Sequence, residues 1–65
     1  MERLRRRRLY LGLRQHEVAS LIGVGVYVYQ RVEQGQQIPK IDMLVKIADV
    51  LKCQVEDLID YDDYR

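Results

Sequence analysis

The sequence predicts an all-α domain of five short helices. Three observations carry that prediction. Apolar residues recur three and four apart along most of the chain, which is the helical period. Gly12, Gly23 and Gly35 each stand just past such a run, where glycine commonly ends a helix. The one stretch that alternates like a strand, "VGVYVYQRVEQG" at residues 24–35, has no second strand-like segment to pair with, and a lone strand is not stable. At 65 residues, 48% hydrophobic and 32% charged, the chain is globular in composition and close to the lower limit for folding on its own core. Residues 1–65 read as one domain without repeat, linker or low-complexity segment, and the acidic "YDDYR" of residues 61–65 reads as a frayed tail.

The first helix covers about residues 2–11, where Leu4, Arg8 and Leu11 share one face; Leu13 packs at the turn beyond Gly12. The second covers Gln15–Ile22, with Val18, Ala19 and Ile22 as its apolar stripe, and the small Ala19 suits close approach of a neighbour. For residues 24–35 the helical period places Tyr29 and Val32 inward and packs Val24 at the entry. Val26, Tyr27, Gln30 and Arg31 then face outward, so a third helix at residues 25–34 is expected against the β-propensity of its valines. Pro39 keeps the residue before it extended. The fourth helix, Ile41–Leu51, is expected to bury Ile41, Leu44, Ile47, Ala48 and Leu51, and the fifth, residues 55–60, to bury Val55, Leu58 and Ile59.

Composition excludes several function classes. No apolar stretch approaches the roughly 20 residues needed to span a bilayer. The basic start "MERLRRRRLY" leads into no apolar segment or cleavage site, so no secretory signal is read. Cys53 is the one cysteine, with no partner for a disulfide or a metal site, and it reads as a small core residue of a reduced, cytoplasmic protein. His16 is the one histidine and reads as a surface or phosphate-edge residue. An enzyme reading lacks parts, and neither cofactor nor metal is expected.

Net charge is +1, but its distribution is uneven. Residues 1–40 carry eight Lys/Arg against three acids, a net +5; residues 41–65 carry three against seven, a net −4. A chain polarised this way can turn a basic face to a polyanion, although balancing of helix dipoles and surface charge accounts for the same division.

Two short helices joined by a Gly-Val turn, the second with an outward polar-aromatic face, make a helix-turn-helix arrangement. The order "R-x-x-x-G-L … Q-x-E-V-A-x-x-I-G-V … Y-x-x-V-E-x-G … P … L-V-K-I-A-D-V-L … L-I" resembles the Cro/Xre-type helix-turn-helix domains of phage repressors and bacterial regulators. It runs from Arg8, Gly12, Leu13, Gln15, Glu17, Val18, Ala19, Ile22 and Gly23 through Tyr29, Val32, Glu33, Gly35 and Pro39 to Leu44, Ile47, Ala48 and Leu51. It covers nearly the whole chain without gaps, and while each submotif is weak alone, all of them in register are specific.

The resemblance implies a compact lambda-repressor-like bundle of five helices and a role in DNA binding. Gln15 matches a glutamine that contacts a phosphate and steadies the recognition helix. Arg8 and Glu33 match a partly buried ion pair linking helix one to the end of helix three, and Arg8 on an apolar face demands such a partner. Base-reading positions fall on Val26, Tyr27, Gln30 and Arg31: arginine suits guanine, glutamine suits adenine, valine meets a thymine methyl. Phosphate-contacting positions fall on Gly25, Gln36, Gln37 and Lys40, with Arg14 at the entrance to helix two. Arg3, Arg5, Arg6 and Arg7 are free to meet phosphate or to stay solvated. Gly25 stands where the family has Ser or Thr, and the similar caps are absent at Arg14, Lys40 and Gln54, each loss worth about 1 kcal/mol. Lys52 replaces the glycine that usually follows helix four.

The implied function is sequence-specific binding of double-stranded DNA by a small transcriptional repressor, bacterial or phage-encoded, with helix three in the major groove. The implied partners are an inverted-repeat duplex and a second copy in a homodimer, formed through helix five and its flanks (Val55, Leu58, Ile59, Tyr61 and Tyr64). The alternative from another class is a protein-interaction or antitoxin-like adaptor on the same fold, favoured by the apolar Val26–Tyr27–Val28 surface.

Overall fold

The computed structural model describes residues 1–60. The tail at residues 61–65, with Tyr61 and Tyr64 of the expected dimer contact, lies outside the described residues. Four α-helices are present among the described residues: α1 (Glu2–Tyr10), α2 (Gln15–Ile22), α3 (Val26–Glu33) and α4 (Ile41–Leu51). In place of a fifth helix there is one 3-10 turn, Val55–Asp57. The fifth segment is too short for helix nucleation to be favourable without strong local propensity. Asp57 accepts from the Gln54 N–H at 2.9 Å and so closes the single turn that does form, while Asp60, at the end of the segment, is drawn away to α1. Leu58 alone of this segment is fully buried, whereas Val55 and Ile59 are half-buried.

The inward stripes meet in one core. Leu4, Val18, Tyr29, Val32, Ile47, Leu51 and Leu58 have no exposed surface, and Ala19, Ile22, Leu44 and Ala48 complete the packing. Residues 24–35 are thus helical, with Tyr29 and Val32 inside. α2 packs on α3 and α4, and α1 packs on α3. Cys53 lies half-buried against the core, and burial raises its thiol pKa. Ile41, expected in the core, is 67% exposed: as the first residue of α4 it stands at the outer end of the stripe that Leu44, Ala48 and Leu51 continue inward.

All four helices end in the same way, an N–H two or three residues past the helix reaching back five positions. The bonds are Leu13 to Arg8 (3.1 Å), Val24 to Ala19 (3.0 Å), Gln36 to Arg31 (2.9 Å) and Cys53 to Ala48 (3.0 Å). The motif needs a left-handed residue just before that N–H. Three times a glycine fills it; after α4 it is Lys52, at φ 55°. Arg7 secures this end of α4, donating from Nε to the Leu51 carbonyl (2.8 Å) and from Nη2 to the Lys52 carbonyl (3.0 Å), with its guanidinium over the Tyr10 ring. Arg7 is therefore a structural residue, not the free cation expected from the sequence.

The missing N-caps are partly replaced. Glu17 accepts from the Arg14 N–H at 2.9 Å, which satisfies the start of α2 in the reverse sense of a capping box. The start of α1 is capped across the molecule: Asp60 accepts from the Glu2 N–H at 2.5 Å and the Arg3 N–H at 3.3 Å.

Candidate nucleic-acid interface

The turn between α2 and α3 is three residues long. Gly23, at φ 79°, reverses the chain; Val24 tucks half-buried against the core; Gly25 is extended and its carbonyl accepts the Tyr29 N–H at 3.2 Å. A side chain on Gly25 would meet nothing within 4 Å, so the position has room for the family's Ser or Thr. This geometry sets α3 across α2 with one side in the core and one in solvent.

The buried anchor is the Arg8–Glu33 pair. Arg8 Nε and Nη2 donate to Glu33 Oε2 and Oε1 at 3.0 and 2.6 Å, and Nη1 donates to the Leu13 carbonyl at 2.8 Å. Both residues are about 5% exposed. Burial is the largest single influence and raises the Glu33 carboxyl pKa, but the hydrogen bonds and charge of Arg8, with smaller help from the polar groups of Tyr29 and Gln15, together outweigh it and hold the group below its ordinary value; the same contact raises Arg8. The Tyr29 hydroxyl is buried beside this pair with no hydrogen-bond partner among the described residues, and burial pushes its pKa up.

On the solvent side, α3 presents Tyr27, 74% exposed, and Arg31, with Gln30 half-buried beside them. Gln30 Nε2 donates to Gln15 Oε1 at 3.1 Å, so the first residue of α2 and the middle of α3 are joined side chain to side chain. Arg31 Nε donates to Gln37 Oε1 at 3.3 Å, and the Gln36 and Gln37 N–H groups both return to the Arg31 carbonyl. The loop after α3 is thereby folded back on the helix that carries the candidate readers.

Not every expected residue faces out equally. Val26 is half-buried and packs against the core, and Val28 is half-buried on the other flank. Of the apolar surface that Val26, Tyr27 and Val28 suggest in the sequence, Tyr27 is the exposed part. Arg14, Gln36 and Lys40 are exposed and Gln37 is half-buried. Helix geometry leaves the first N–H groups of α2, on Gln15 and His16, without an acceptor inside the helix, which is a favourable place for an anion. The sequence reading missed Gln34: it is exposed just past α3, and its spacing from Tyr27 and Arg31 (i, i+4, i+7) is the signal that marks it. Among the described residues no cluster of His, Cys, Asp or Glu is arranged to hold a metal ion, and no helix is long and apolar enough to cross a membrane.

The chain is similar to the cryptic phage CTXphi transcriptional repressor RstR of Vibrio cholerae serotype O1, 35% identical over 57 residues, which is 88% of this chain and 51% of the relative. It is also similar to an uncharacterised helix-turn-helix-type transcriptional regulator of Archaeoglobus fulgidus, 34% identical over 61 residues, or 94% and 87% of the two chains. The chain thus spans about half the length of the Vibrio relative. No solved structure gives a significant match. The helix-turn-helix family model matches residues 4–58, from α1 through the 3-10 turn, and the chain belongs to the Cro/C1-type helix-turn-helix family.

Proposed function

We propose that this chain binds duplex DNA sequence-specifically as a transcriptional repressor, with α3 in the major groove. The observation that carries the reading is the outward side of α3. Tyr27, Gln30 and Arg31 stand together there, locked to the start of α2 by the Gln15–Gln30 bond and to the following loop by the Arg31–Gln37 bond. Groups that suit phosphate flank them on both sides: Arg14 and Gln15 at one end, Gln36, Gln37 and Lys40 at the other, with the Gly25 N–H between. Arg31 suits the paired acceptors of guanine and Gln30 those of adenine; half-buried Val26 is left a thymine methyl at most. The repressor name of the Vibrio relative supports the regulatory role. An adaptor reading rested on an apolar α3 surface, and the packing of Val26 leaves little of it.

An inverted-repeat operator requires a two-fold dimer. Leu58 is committed to its own core, so the expected contact through the fifth segment loses its main apolar residue. Exposed apolar side chains are spread over α1 (Leu9, Tyr10), α2 (Leu21) and α3 (Tyr27), and three more, Ile38, Ile41 and Val45, lie at the start of α4 and just before it, 68%, 67% and 45% exposed. An antiparallel, two-fold packing of α4 on a second copy covers Ile41 and Val45 and sets Asp42 of one copy beside Lys46 of the other, twice. Val45→Glu would then yield monomers by sedimentation without loss of helicity; an unchanged oligomeric state would place the contact elsewhere.

The primary test is selection of bound duplexes from a random library by the purified protein at moderate salt. Enrichment of an inverted repeat is the expected result, with the preference relaxed at one position by Arg31→Ala. Failure to enrich any sequence, or an Arg31→Ala variant with unaltered preference, refutes base reading by α3.

A further inference from the structure

α1 carries five arginines, and the fold sorts them. Arg8 is inside with Glu33, and Arg7 is bound to the end of α4. Arg3 lies against Asp60, at 3.7 Å. Arg5 and Arg6 remain. Both approach the same Glu2 oxygen, at 3.5 and 3.4 Å, from well-exposed positions where such pairs hold weakly. Adjacent helical residues point about 100° apart, so the two arginines serve different surfaces. Arg5 lines a shallow depression together with Gln15 and Gln34, the start of α2 and the end of α3; Arg6 does not.

Three carboxylates also border that depression. Glu33 is neutralised by Arg8, and Asp60 is engaged by the N–H groups of α1 and by Arg3. Glu2 alone faces Arg5 in a loose, exposed pair. We infer that Arg5 is a further phosphate contact, taking the phosphate next to the one at the start of α2, and that Glu2 is the competing anion that holds it in the free protein. The inference rests on the duplex-binding reading. The exchange is chemically even: a guanidinium leaves one oxyanion for another, and the phosphate offers two oxygens to its planar fork. Binding gains a released counterion, while the displaced Glu2 carboxylate sits near the backbone and weakens the complex.

The test is a titration of a mixed-sequence duplex oligonucleotide at several salt concentrations, because phosphate contacts do not depend on sequence. The proteins are the wild type, Arg5→Ala, Arg6→Ala, Glu2→Gln and the double variant Glu2→Gln/Arg5→Ala, each checked for wild-type helicity. Arg5→Ala should flatten the slope of log K against log salt by about 0.9, with a smaller change for Arg6→Ala. Glu2→Gln should tighten binding several-fold, and that gain should shrink in the Arg5→Ala background. A wild-type slope in Arg5→Ala, or an undiminished Glu2→Gln gain in the double variant, overturns the assignment of Arg5. A wild-type protein without salt-dependent duplex binding overturns the duplex reading itself, so the two failures are told apart by the wild-type curve.

Discussion

Replacing Arg8 with methionine puts the central anchor of the domain to a quantitative test. The substitution keeps most of the side-chain volume but leaves the Glu33 carboxylate, 5% exposed, without its two donors. Removing one partner of a buried pair costs about 3–5 kcal/mol. A single core of this size supplies about 3–5 kcal/mol in total, so Arg8→Met should be largely unfolded at neutral pH. The double variant Arg8→Met/Glu33→Leu removes both charges together and should fold, losing at most about 1–2 kcal/mol, chiefly because the Leu13 carbonyl also loses its donor. Urea unfolding followed by circular dichroism measures each, provided the slope with denaturant stays constant. The pH dependence adds a sign that cannot be mimicked by general damage. In the wild type the Glu33 pKa is lowered below 4.5, so the stabilisation is complete above the unfolded-state value and is lost as pH falls through the folded one. Arg8, held charged more firmly still by its hydrogen bonds to Glu33, stays charged throughout and adds nothing to the acid limb. In Arg8→Met burial loses its main opposition and raises the Glu33 pKa, so stability should rise as pH falls from neutral toward the carboxylate range. A loss in Arg8→Met below about 1 kcal/mol, or the same loss in single and double variants, refutes the burial reasoning and makes the pair equivalent to a surface contact.

Three further substitutions probe features that only the fold reveals. Lys52→Gly relieves a left-handed residue at φ 55° and should stabilise by roughly 0.5–1 kcal/mol after the added chain entropy of glycine, read as a rise in thermal midpoint of several degrees. Arg7→Ala removes two donors from the end of α4 and the contact with Tyr10, and should cost about 1–2 kcal/mol in urea unfolding while leaving the salt slope of duplex binding unchanged. Tyr29→Phe deletes a buried hydroxyl with no partner among the described residues and should be neutral or stabilising by about 1 kcal/mol; a loss of that size would show that the hydroxyl is bonded.

Whatever depends on neighbours a few positions away is legible in the amino-acid order. Helical spacing placed Leu4, Val18, Tyr29, Val32, Leu44 and Ile47 inside, and the glycines after α1, α2 and α3 marked turns that the backbone does make. The pairing of Arg8 with Glu33 and the place of Gln15 beside the candidate reading helix are implied by the family resemblance rather than by local spacing. Tertiary structure alone decided the contacts that span most of the chain. Arg7 meets Leu51, 44 positions on, and Asp60 caps α1 from 58 positions away. Nothing in a run of arginines distinguishes the one that seals a distant helix end from the one left beside Gln15. The fifth segment departs from its local pattern for a related reason: its apolar spacing is helical, but Leu58 is pinned by the core and Asp60 by α1, and six residues cannot nucleate a helix against those demands. Val26 shows the same limit on the candidate interface, since a helix wheel gives a direction and only the neighbouring helix decides whether that direction ends in solvent or in packed side chains.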